Sequence, residues 1–137
     1  MAKDLFHQAV KQALIKKGWK ITNDPLTIRI DSIKLEIDLG AERIIGAEKD
    51  GQKIAVEIKS FINPSNISDF HNALGQFLSY RVALQMTETD RFLYLAVPSD
   101  VFQTFFQERF TQAAISTYDL KIISYEPTRE EIVEWKN

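Results

Sequence analysis

The sequence predicts a mixed α/β domain in which a β-sheet carries helices on its faces. Apolar residues recur at helical spacing near the N-terminus and again mid-chain, while the segments between them alternate at period two. The elements run helix, several strands, helix, strand, helix, strand, tail, an order that needs both faces of a sheet. The 137 residues are 45% hydrophobic and 26% charged, which fits one folded domain, 1–137, with a sizeable core.

Taken in order, the first helix is expected from about Asp4 to Lys17. Leu5, Phe6, Ala9, Val10, Ala13 and Leu14 share a face, Lys16 and Lys17 suit the negative end, and Gly18 caps it. "WKITNDPLTI" reads as a short strand and a turn at Asn23-Asp24-Pro25. From Leu26 to Val56 the pattern is a meander. In "SIKLEIDLG" Ile33, Leu35, Ile37 and Leu39 face one way, and Lys34, Glu36 and Asp38 the other. Asp50-Gly51 signals a hairpin turn. Ser68 can cap a helix running to about Gln85, with a stripe of Phe70, Leu74, Phe77, Leu78 and Leu84.

"RFLYLAV", ended by Pro98, is expected as a strand covered on both faces, followed by a helix from Ser99 to about Phe110. "LKIISYE" reads as the last strand. In "TREEIVEWK", Thr128 and Glu131 have capping-box spacing, so Glu130, Glu131 and Glu134 are read as a solvated terminal helix or a frayed end. Phe102, Phe105, Phe106 and Phe110 are placed in the core by their spacing, the alternative being a partner-binding face. Lys16, Lys17 and Lys20 are read as solvating the helix end.

Composition removes several kinds of chemistry. With no cysteine there is no disulfide, thiolate metal site or thiol nucleophile, which fits a reducing cytoplasm. His7 and His71 are too few and too distant for a zinc cluster, so any metal site would be oxygen-lined and would favour magnesium or manganese. No apolar run reaches membrane-spanning length and no signal-peptide core is present, so no membrane role is expected. A formal net charge of −2 counts against strong non-specific DNA binding, although a local basic patch is compatible with it.

The run "AVEIKSF" sends Ala55, Glu57 and Lys59 to one strand face and Val56 and Ile58 to the other. Two readings stand open from these residues: a solvated charge pair on a wet sheet face, or the acid and base of a metal site. If the strand of Asp38 neighbours that of Glu57, the two carboxylates and a backbone carbonyl such as that of Ile58 can hold a divalent cation. Lys59 could then position a water and offset charge developing on a phosphorane. In "GQFLSYR", Gln76 and Tyr80 lie four apart, hence on one helical face, read as pointing away from the Leu74/Phe77/Leu78 side.

Asp38, Glu57-Ile58-Lys59 and Gln76-x-x-x-Tyr80, in this order, resemble the D…(D/E)xK…QxxxY pattern of the PD-(D/E)XK restriction-endonuclease-like superfamily in its RecB-like form. That resemblance implies an αβββαβ core with a mixed central sheet. It also implies Asp38 and Glu57 as metal ligands, with the Ile58 carbonyl, Lys59 as the catalytic lysine, and Gln76 and Tyr80 as the accessory pair. The superfamily often adds an acid from the first helix. Asp4 is the acid available here, with His7 one turn on, but residue preferences favour capping by Asp4 and a surface place for His7.

Over nearly its full length the chain is also similar to the XisH proteins, fdxN element excision controlling factors found mainly in cyanobacteria. "KDLFHQAVKQALIKKGWKITNDPL", "IDLGAE", "AVEIKSF", "DFHNALGQFLSYRVAL" and "YLAVP" carry the similarity. It implies two functions to weigh. One is a Mg2+- or Mn2+-dependent nuclease, or a nuclease-fold DNA-binding protein, acting in programmed DNA rearrangement. The other is a non-catalytic accessory factor that binds protein, since the family is named with a companion, XisI, and a site-specific recombinase, XisF. A homodimer would suit a nuclease acting on two strands.

Overall fold

In a computed structural model that describes residues 2–35 and 44–136, the first helix, α1, spans Ala2–Lys16. Gly18, at φ +90°, ends it: its amide donates to Ile15 O at 2.9 Å and that of Trp19 to Leu14 O at 3.0 Å. A left-handed residue after the last turn is what a glycine there supplies. Asp4 lies within the first turn rather than before it.

Six strands form the main sheet: β1 (Lys20–Asn23), β4 (Ile44–Lys49), β5 (Gln52–Ile58), β6 (Arg91–Pro98), β7 (Ile122–Glu126) and β8 (Glu131–Lys136), in the spatial order β1-β4-β5-β6-β7-β8. The pairs β5–β6 and β6–β7 are parallel and the others antiparallel. The Asp50-Gly51 turn joins β4 to β5 as expected, with φ of 51° and 80° at its two residues and Lys49 facing Gln52.

The meander is interrupted. β2 (Ile28–Ile30) and β3 (Ile33–Leu35) form a separate hairpin, and β1 pairs with β4 instead. Ile28 and Leu26 are buried on the side of the long helix α2 (Asn66–Thr87), and Ile30 and Leu35 pack against the same cluster. Ile33, expected to share a face with Leu35, is exposed at the hairpin tip. Glu36, Ile37, Asp38 and Leu39 lie outside the described residues. With this hairpin set aside, α1, β1, β4, β5, α2 and β6 follow the αβββαβ order.

The cap of α2 lies three residues before the expected one: Ser65, at φ −104° and ψ 107°, accepts the Ser68 amide on its hydroxyl at 3.2 Å. The helix expected from Ser99 to Phe110 is broken at Thr104 (φ −115°, ψ −86°) into α3 (Ser99–Gln103), a 3₁₀ turn (Phe105–Gln107) and α4 (Arg109–Tyr118). The Gln107 side-chain amide donates to Phe102 O at 2.9 Å and that of Gln112 to Phe106 O, so carbonyls at the break have donors. This puts Phe102, Phe105 and Phe106 inside, around Phe70 and Phe61, and leaves Phe110 exposed.

The tail is a strand, not a helix. The Glu126 carboxylate accepts the amides of Thr128 at 2.9 Å and Arg129 at 3.2 Å and folds the chain back. Ser124 faces Glu134 and Tyr125 faces Ile132, so Val133 is an extra residue in β8. Such a bulge places Ile132 and Trp135, three apart, on the same face. The sheet thus separates two cores, one under α2, α3 and α4, the other under α1 with Trp19, Tyr94 and Trp135. Among the described residues no helix is long and apolar enough to cross a membrane.

Candidate functional site

Ile54, Val56 and Ile58 of β5 belong to the α1-side core, and Ala55 to the α2-side core. Period-two alternation then carries Glu57 and Lys59 toward α2. Neither is a solvated charge: Glu57 is 0% exposed and Lys59 is 7% exposed. The wet-face reading of "AVEIKSF" therefore fails. Both faces of the inner strands are covered, and the acid and the base sit under a helix.

Opposite them stands α2. The Lys59 ammonium donates to Gln76 Oε1 and lies 3.8 Å from Glu57 Oε2. Tyr80, one turn beyond Gln76, is buried in the same core as Phe77. This corrects the expectation that Gln76 and Tyr80 point away from the apolar side of the helix: their face is the one turned to the sheet. The Tyr80 hydroxyl is pushed well above its ordinary pKa, first by burial and then by the negative charge of Glu57. It stays a neutral O–H throughout the ordinary pH range and can serve as a donor there.

The structure thus brings together Glu57, Lys59, Gln76 and Tyr80 out of the expected set. Asp38 lies outside the described residues. Among those described, no group of three or more acidic or histidine side chains forms a metal site. Glu57 supplies one hard oxygen donor of the kind magnesium or manganese takes, and a second carboxylate would have to come from elsewhere.

His7 is not at the surface. It is buried, and its Nε2 donates to Asp24 Oδ1 at 2.8 Å while Lys11 Nζ meets Asp24 Oδ2 at 2.8 Å. It is therefore committed to the turn after β1. Of the lysines near the helix end, Lys16 donates to Arg129 O at 2.8 Å, a tie across to the C-terminal turn that its sequence position did not suggest.

One contact at the site was not anticipated. The Tyr125 hydroxyl donates to the Lys59 carbonyl at 3.1 Å across β6. Nothing in "LKIISYE" marks this tyrosine out. Among the hollows lined by described residues are two that differ in their relation to the site. One of about 380 Å³ begins at Ser60 and Phe61, next to Lys59, and is lined also by Pro98 and Glu126. The other, about 510 Å³, lies at the far ends of α2 and α4 and holds none of the four site residues.

Residues 1–133 match the XisH protein family. Among solved structures, an XisH family protein from Nostoc punctiforme is 48% identical, with a TM-score of 0.89, the match covering 98% of this chain and 100% of that one. An fdxN element excision controlling factor protein from Anabaena variabilis is 49% identical, with a TM-score of 0.90 over 98% of this chain and 99% of that one. No curated protein matches the sequence. With a match over almost the whole chain and two full-length structural relatives near half identity, the chain belongs to the XisH family.

Proposed function

We propose that this chain hydrolyses DNA phosphodiesters in a metal-dependent reaction of the PD-(D/E)XK type, serving excision of a DNA element. The observation that carries the reading is the convergence of Glu57, Lys59, Gln76 and Tyr80 beneath α2, with a fully buried carboxylate 3.8 Å from a nearly buried ammonium. Burying opposite charges costs more than a packed apolar pair of the same size, so such a pair is weak evidence for stability and better evidence for a site.

Each side chain then has a part. Glu57 and Asp38, with the Ile58 carbonyl, would hold Mg2+ or Mn2+, which when bound supplies Lewis-acid polarisation of a phosphate and lowers the pKa of water. Lys59 places a positive charge where negative charge develops on the scissile phosphate, and Gln76 aims its ammonium through the Oε1 contact. Tyr80, held neutral, donates a hydrogen bond without adding charge. The low dielectric under the helix strengthens all of these interactions.

A second reading is supported by the net charge of −2. A DNA-handling enzyme usually carries a basic surface for the phosphate backbone. In that reading the chain is a non-catalytic factor that acts by binding protein, an XisI-like companion or a site-specific recombinase. A dimer or a partner could equally bring the basic surface to an active enzyme.

Cleavage of duplex, single-stranded and branched DNAs with Mg2+ or Mn2+ separates the two. Wild type should cut, and Asp38→Ala, Glu57→Ala and Lys59→Ala should each lower the rate by roughly 10²-fold or more. Folded wild type that leaves every substrate intact, with both metals, would give the accessory reading the field.

A further inference from the structure

Pro98 closes β6, an inner strand flanked by β5 and β7. Proline is uncommon there because it donates nothing to the ladder. The β5–β6 register sets Ile58 opposite Ala96, and one step further the Lys59 amide donates to Ala96 O at 3.0 Å. In a parallel ladder the carbonyl of such a residue accepts from the amide two positions beyond that oxygen's residue. Here that position is Pro98, which has no N–H.

The ladder therefore cannot close on the Lys59 carbonyl, and the Tyr125 hydroxyl donates to it instead, at 3.1 Å. Tyr125 faces Pro98 across the β6–β7 pair. It is fully buried on the α1 side, with its ring edge-on to Phe6 at 6.3 Å. Lys59 sends its side chain the other way, to Gln76 under α2. One residue is thus fastened by its backbone from one core and used by its side chain in the other. Just beyond it the chain turns sharply, with Phe61 at φ 53°. A residue at the end of a strand whose N–H is tied but whose C=O has lost its ladder donor can pivot and carry the Cα–Cβ bond with it.

We propose that the Tyr125 hydroxyl, standing in for the amide that Pro98 lacks, fixes the strand end at Lys59 and is a positioning residue for the lysine. Its catalytic consequence rests on the nuclease reading, but its structural consequence does not.

The test compares wild type with Tyr125→Phe, with Ile123→Val as a control, and with the double variant Pro98→Ala/Tyr125→Phe. Ile123 is equally buried on the same face of β7 and does not touch Lys59 through any recorded hydrogen bond. The double variant returns a backbone N–H to the ladder. The first readout is by NMR at one fixed pH: the Lys59 side-chain signals and their cross-relaxation with the Gln76 amide. Tyr125→Phe should shift the signals and weaken the contact, Ile123→Val should leave both alone, and the double variant should move them back.

An unchanged Lys59–Gln76 contact in folded Tyr125→Phe overturns the proposal. Should that variant not fold, the double variant decides, a wild-type contact upholding the proposal and a lost one sinking it. Where wild type cleaves DNA, Tyr125→Phe should lower kcat about tenfold with KM unchanged. Absence of cleavage in wild type would count against the nuclease reading alone, because the NMR comparison still decides the part played by Tyr125.

Discussion

Asp24, in the turn after β1, accepts His7 on one carboxylate oxygen and Lys11 on the other, both at 2.8 Å. Burial acts to raise its pKa, but the hydrogen bonds from Lys11 and His7, with their charges, outweigh that and hold it below the ordinary carboxylate value. A group whose folded pKa is depressed contributes stability above its unfolded pKa and loses that contribution as pH falls through the folded one. Wild type should therefore melt higher than Asp24→Asn at pH 7, and the gap should close below about pH 4, the ordinary aspartate range. Melting curves of the two proteins between pH 7 and pH 3 check this, and a gap constant across that range would show that the carboxylate charge is not the stabilising element. Histidine at this position gave no sequence clue to its burial, because its partner stands 17 residues away, beyond the reach of helical spacing.

At the scale of elements, local chemistry was readable wherever one short segment decides the outcome. Gly18 and Asp50-Gly51 each need a left-handed residue, and each announced it. The misreadings arose where tertiary contacts choose between equal local options. Ser65 and Ser68 are both competent caps, and it is Ser65 whose hydroxyl accepts the amide three residues on. Ser65→Ala should cost about 1 kcal/mol of stability. Ser68→Ala should change stability by no more than about 0.5 kcal/mol. Chemical denaturation of both variants measures this, and the reverse order would restore Ser68 as the cap. In the tail, Ile132 and Trp135 are three apart, a helical interval, yet the bulge at Val133 produces the same one-sidedness in a strand. Periodicity alone cannot tell these apart. The sequence also held no warning of the break at Thr104, after which Phe102, Phe105 and Phe106 stay in one core while Phe110, expected on the same face, is turned out to solvent.

Across the whole molecule, the order of the polar residues was more informative than their faces. Glu57, Lys59, Gln76 and Tyr80 were selected by their order along the chain, and the structure places them together. The direction of Gln76 and Tyr80 was misjudged because a polar residue was assumed to avoid the sheet, whereas here the sheet carries the charged partners. Within the α1-side core, Trp19, just past α1, stacks on Trp135 of β8 with centroids 5.4 Å apart and planes 8° from parallel. These are the chain's two tryptophans. Two like chromophores held so close share their excited states. The indole bands in circular dichroism should then form a paired positive and negative couplet rather than the sum of two independent signals. Replacing Trp135 by Phe should remove the couplet entirely instead of halving it, so light absorption alone reports whether the last strand is seated beside the first helix.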